Sequence, residues 1–90
     1  MSNKFGDLSH RFQKRCEDDL EMLKIALIDT SMRSSDDFQR RLHQLAGASG
    51  FFGQAELGER ALALEGRLVA GLEINDLHLQ DLIDRLALVV

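Results

Sequence analysis

Apolar residues recur every three or four positions in four separate stretches of the chain, the signature of amphipathic helices. In the first, residues 6–29, Leu8, Phe12, Cys16, Leu20, Leu23 and Leu27 form one stripe. Lys14, Arg15, Asp18, Glu21 and Lys24 fall on its other faces. Residues 30–35 are short and polar and read as a connection. The second stretch, 36–52, has Phe38, Leu42, Leu45, Ser49 and Phe52 in line. Ser34 and Ser35 are its candidate N-caps, and Asp36 and Asp37 suit the positive end of the helix dipole. Gly53 fits a left-handed stop. The third stretch, 54–70, aligns Leu57, Ala61, Leu64 and Leu68 and stops at Gly71. Asn75 or Asp76 can cap the fourth, whose stripe is Leu79, Leu82, Ile83 and Leu86. No sustained alternation of period two suggests a strand.

Four helices of roughly 13–23 residues with short links predict an all-α, up-down-up-down four-helix bundle spanning residues 1–90 as a single domain. The first helix is the longest. Its N-terminal part is expected to bend over the bundle end as a short covering helix, with Phe5 as a lid.

Composition narrows the function. The formal charge of −4 argues against nucleic-acid binding, which needs a net basic footprint. No stretch approaches the ~20 apolar residues needed to span a bilayer. The N-terminal Met1-Ser2-Asn3-Lys4-Phe5 has no apolar core of a signal peptide. A single cysteine, Cys16, excludes an internal disulfide, fits a cytoplasmic location, and lies on the apolar stripe as a small hydrophobe. Met1 and compact ends favour a free-standing protein, expected as a monomer. No i,i+4 histidine pair or His-Cys cluster suggests a metal site. His10, His78 and the runs Glu17-Asp18-Asp19 and Arg40-Arg41 are expected at the surface, with Arg41 facing solvent. Phe52 is expected in the core and Phe51 more exposed, either as an end plug or as part of a docking surface.

The second helix carries the chemistry. Spacing of three and four from His43 selects Gln39 and Arg40 on one side and Ala46, Gly47 and Gly50 on the other. His43 lies about 100° from Leu42, on the shoulder between core and solvent. A glycine inside a helix costs ~1 kcal/mol relative to alanine, and two fall within one turn here. Either they clear space for another protein to approach the imidazole, or they let a neighbouring helix pack tightly. A neutral imidazole is itself a nucleophile at neutral pH if one ring nitrogen is open and an acceptor holds the other. Glu65 is the candidate acceptor, because Gly58, Leu62 and Glu65 form a shoulder stripe on the third helix. Arg40 is the cation nearest to a phosphate on His43 by helix spacing.

His43-Gln44-Leu45-Ala46-Gly47, followed by Gly53 and Leu57, resembles the signature of histidine-phosphotransfer (Hpt) domains. That signature is His-x-Leu-Lys-Gly, a small-residue segment, then a glycine ten residues after the histidine. Leu64-Glu65 matches the Leu-Glu or Leu-Gln pair that the family favours on the next helix. The resemblance implies a four-helix bundle with a phosphorylatable histidine exposed on its second helix. Such domains take a phosphoryl group from an aspartate of one receiver domain and pass it to another, with no kinase activity of their own. The resemblance makes His43 the phosphorylation site, Gly47 the small residue beneath the phosphate, and Glu65 the residue that orients His43. The implied partners are receiver domains of response regulators or of a hybrid sensor histidine kinase. No cofactor is expected on this chain, and Mg²⁺ is expected on the receiver. Ala46 departs from the family, which has lysine there. That change leaves open how phosphate charge is balanced and admits an alternative, a phosphate-independent helical module that binds a receiver or kinase.

Overall fold

The computed structural model describes residues 4–90. Four helices, α1 (Lys4–Ile28), α2 (Asp36–Phe51), α3 (Ala55–Val69) and α4 (Asp76–Ala87), run up-down-up-down, and a 3-10 turn (Thr30–Ser34) joins the first two. No strand occurs among the described residues, and no helix there is long and apolar enough to cross a membrane. α2 packs on α3, α1 on α4, and the α1–α2 and α3–α4 contacts close the bundle.

Local chemistry sets the ends of these helices. Ser35 is the N-cap of α2, its side chain accepting from the Phe38 N–H, and Asn75 does the same for α4 through His78. The His78 side chain returns the favour to the Asn75 N–H, so this half-buried histidine helps to cap the helix. Gly53 and Gly71 both have φ 75°, the left-handed stop that only glycine adopts freely. In each case the next residue's N–H closes back on the helix, Gln54 to Ser49 O at 2.7 Å and Leu72 to Arg67 O at 2.8 Å.

The core follows the stripes. Phe12, Cys16 and Leu23 of α1 meet Phe38, Leu42 and Leu45 of α2, Leu57, Ala61 and Leu64 of α3, and Leu79, Leu82, Ile83 and Leu86 of α4. α1 buries a wider face than its single stripe, with Met22 and Ala26 also enclosed, because it packs against both α2 and α4. Leu8 departs from expectation and is exposed. It lies one turn beyond Phe12, which stacks on Phe52 at 4.7 Å. α1 also runs as one continuous helix from Lys4, so no separate covering helix forms. The lid proposed for Phe5 concerns a side chain outside the described residues.

Two buried charges hold the helices in register, and one of them, Asp19, contradicts the surface reading of the Glu17-Asp18-Asp19 run. Arg33, in the connecting turn, is buried. Its guanidinium donates to the Ala26, Leu27 and Ile74 carbonyls and to Asp76 at 2.7 Å. The first two are otherwise unpartnered carbonyls in the last turn of α1, so one side chain ties that end to the start of α4. Asp19 is also buried, on the α1 face toward α2. Its Oδ1 accepts from Arg41 at 2.8 and 3.1 Å, and Arg15 stands 3.4 Å from Oδ2. Arg41 is thus half-buried across the helix pair and does not face solvent.

Candidate functional site

Leu42 and Leu45 enter the core from α2 and turn the two intervening residues, His43 and Gln44, outward. The His43 side chain is 71% exposed. α3 runs antiparallel to α2. With Leu57, Ala61 and Leu64 facing inward, Glu65 falls on the shoulder beside the imidazole. Its carboxylate oxygens lie 3.0 and 2.9 Å from His43 Nδ1. The Glu65 side chain is only 15% exposed, so packing holds it in place. A carboxylate only accepts, so in the neutral ring Nδ1 carries the hydrogen and Nε2 keeps its lone pair. No other described residue bonds to the ring. The arrangement is an exposed imidazole with a carboxylate behind Nδ1 and Nε2 left open.

The glycine question has an answer in the packing. A Cβ built on Gly47 or Gly50 would meet nothing within 4 Å. These glycines therefore do not seat a neighbouring helix, and the surface from His43 through Gly47 and Gly50 is exposed and open. The helix–helix approach belongs to Gly58, where a Cβ would lie 3.1 Å from Ala46 O. Phe51, exposed at the end of the same α2 face, meets Phe52 edge-on at 4.9 Å, while Phe52 packs on the core.

The remaining candidates are spread around the histidine and do not converge on it. Arg40, 67% exposed, pairs with Asp37 one turn earlier on α2. Gln39 is half-buried and lines a cavity of about 520 Å³ between the connecting turn and the end of α3. Ala46 packs against the core. Gln44, beside His43, accepts from Arg15 at 2.7 Å and so links α2 to α1. Arg15 joins His10, Arg11, Lys14 and Arg41 along a shallow groove of about 320 Å³ that also includes Asp18 and Asp19. This is a locally basic surface on an acidic chain.

Sequence reasoning missed Asp19 and its two arginines. The available signal was position, because Asp19 is three residues after Cys16 and four before Leu23, on the apolar face. Burial pushes its carboxyl above the ordinary aspartate range, while the Arg41 hydrogen bond and the two guanidinium charges pull the other way. Burial and the neighbouring Asp19 charge raise the Cys16 thiol to about 11, which keeps it protonated and inert.

The Hpt domain family model matches residues 7–88. No curated protein and no solved structure matches the chain.

Proposed function

This chain belongs to the Hpt domain family, and from that premise we propose that it carries a phosphoryl group on His43 between receiver-domain aspartates. The observation that supports this most is the pairing of an exposed imidazole with a packed carboxylate at Nδ1. Nε2 attacks the phosphorus of an aspartyl phosphate. The N–P bond forms as the P–O bond to the aspartate breaks, and the aspartate leaves as a carboxylate. The ring then bears positive charge, which the Glu65 carboxylate stabilises through the Nδ1 hydrogen. In the second half, another receiver's aspartate attacks the same phosphorus and the ring leaves neutral. No proton need be removed at any stage. The domain is therefore a carrier that contributes position and electrostatics, not a kinase.

The open surface around Gly47 and Gly50 gives a receiver room to bring its aspartate in line with Nε2. Arg40 is engaged by Asp37, so in this reading the charge on the phosphoryl oxygens is met mainly from the receiver, by its own lysine and Mg²⁺. The basic groove on α1, next to Gln44, is the proposed edge of the receiver's footprint. The protein is proposed to act as a cytoplasmic monomer.

The test is to mix the chain with a phosphorylated receiver and Mg²⁺ and follow the label. Label that moves to this chain, survives base and is lost in acid supports the carrier. A folded chain that takes no label from active donors would leave a phosphate-independent binding module as the better reading.

Substitutions at two positions probe the mechanism. Glu65→Ala removes the group behind Nδ1 and is expected to slow phosphoryl acceptance by about 10–100-fold, the usual range for losing such a partner. Glu65→Gln, which still offers an acceptor oxygen, should lose far less, and initial transfer rates compare the two. Gly47→Ala places a methyl group in open space in a helix interior, so thermal unfolding should show a gain of about 0.5–1 kcal/mol. Gly47→Leu should also fold, yet transfer from a receiver should fall at least about tenfold because the side chain occupies the approach. Full transfer activity in Gly47→Leu would remove that surface from the docking footprint.

A further inference from the structure

α2 and α3 approach closely at Gly58, a buried glycine in the first half of α3. A Cβ there would stand 3.1 Å from Ala46 O, 3.4 Å from Ser49 Cβ and 3.6 Å from Gly50 N. Ala46 O and Gly50 N are the two ends of one turn's backbone hydrogen bond. A flexible side chain could swing away from a new methyl, but this backbone cannot. A side chain at 58 therefore has to push the two helices apart. Ser49, small and fully buried on the facing side, completes this close crossing.

Gly58 and Glu65 are seven residues apart, so they share a face of α3 two turns from each other. Ala46 is likewise one turn from His43 on α2. The crossing at Gly58 and the contact between Glu65 and His43 Nδ1 thus lie along the same pair of rods, two turns apart on α3. A helix moves as a unit, so the gap set at Gly58 is passed on to the Glu65 carboxylate. We propose that Gly58 is a positioning residue for His43, its missing side chain setting the α2–α3 separation at which Glu65 reaches Nδ1. The proposal rests on the reading of His43 as the phosphoryl carrier and names what holds its ring in the productive form. It also explains why a buried helix interior keeps a glycine, against a propensity cost of ~1 kcal/mol.

The experiment uses Gly58→Ala, Gly58→Val and, as a control, Gly66→Ala, where a Cβ on the same helix would meet nothing within 4 Å. Two quantities are read. The first is the ring tautomer of His43, from ¹⁵N chemical shifts on the unphosphorylated protein. The second is the rate of phosphoryl acceptance from a phosphorylated receiver. Both are measured well below each variant's melting temperature. In Gly58→Ala the ring should shift partway from the Nδ1–H form, and the rate should fall a few-fold. In Gly58→Val the ring should lose its Nδ1–H preference, and the rate should fall about tenfold or more. Gly66→Ala should change neither quantity. If Gly58→Val fails to fold, Gly58→Ala decides the matter. A folded Gly58 variant that is slow but keeps the Nδ1–H tautomer would overturn the proposal, as would one with both quantities unchanged. The tautomer is read without phosphate. A wild-type chain that takes no label would thus end the carrier reading while leaving the Gly58 result separate and legible.

Discussion

Replacing His43 with glutamine is expected to reduce phosphoryl acceptance by more than about a thousandfold, to background, while leaving the bundle intact. Removing the nucleophile of a group transfer removes the only atom that can form the new bond, and losses of that size are usual. The fold should not notice. The His43 side chain is 71% exposed and contacts the rest of the chain through Glu65. A glutamine amide can donate to the same carboxylate, so stability should stay within about 0.5 kcal/mol, as for other surface changes. Circular dichroism and a thermal melt check the fold, and labelled transfer checks the chemistry. Label on His43→Gln at the wild-type rate would place the phosphoryl group elsewhere.

Phe38→Ala should produce the largest loss of stability. Phe38 is among the largest side chains with no exposure at all, and it anchors the first turn of α2 against the core. Truncating a buried phenylalanine costs about 3–5 kcal/mol, from lost transfer energy and from the cavity left behind. A domain of this size has only about 5–13 kcal/mol in total, at 0.05–0.15 kcal/mol per residue. The variant should therefore lose roughly a quarter or more of its unfolding free energy in a urea titration. A loss below about 1 kcal/mol would mean that the α2 core is not packed as described. The two substitutions lie five residues apart on one helix and should separate cleanly, one removing chemistry and the other removing the scaffold.

What could be read from the sequence was whatever lies within one helix. Spacings of three and four identified Phe38, Leu42, Leu45 and Ser49 as the buried face of α2. Cap chemistry narrowed its start to Ser34 or Ser35, and Gly53 marked its end. The same spacing placed His43 and Glu65 on adjoining shoulders, and the two side chains stand 2.9 Å apart at the nearest oxygen. What could not be read depends on which helix lies opposite. Asp19 and Arg33 look like surface charges until Arg41 and the α3–α4 connection arrive from distant parts of the chain. Leu8 continues a regular stripe, but the stripe outruns the core that would cover it. Gly47, Gly50 and Gly58 are identical as letters. Only the crossing of α2 and α3 shows that the first two face open space and the third seats a helix.

The measurement that tests the central claim most directly is a two-step relay with purified components. The chain is loaded from one phosphorylated receiver, separated from it, and mixed with a second, unphosphorylated receiver and Mg²⁺. The carrier mechanism predicts acid-labile, base-stable label on His43 after the first step and its loss to the second receiver's aspartate after the second. A loaded chain that never yields its label to any receiver, or a folded chain that never loads, would contradict it.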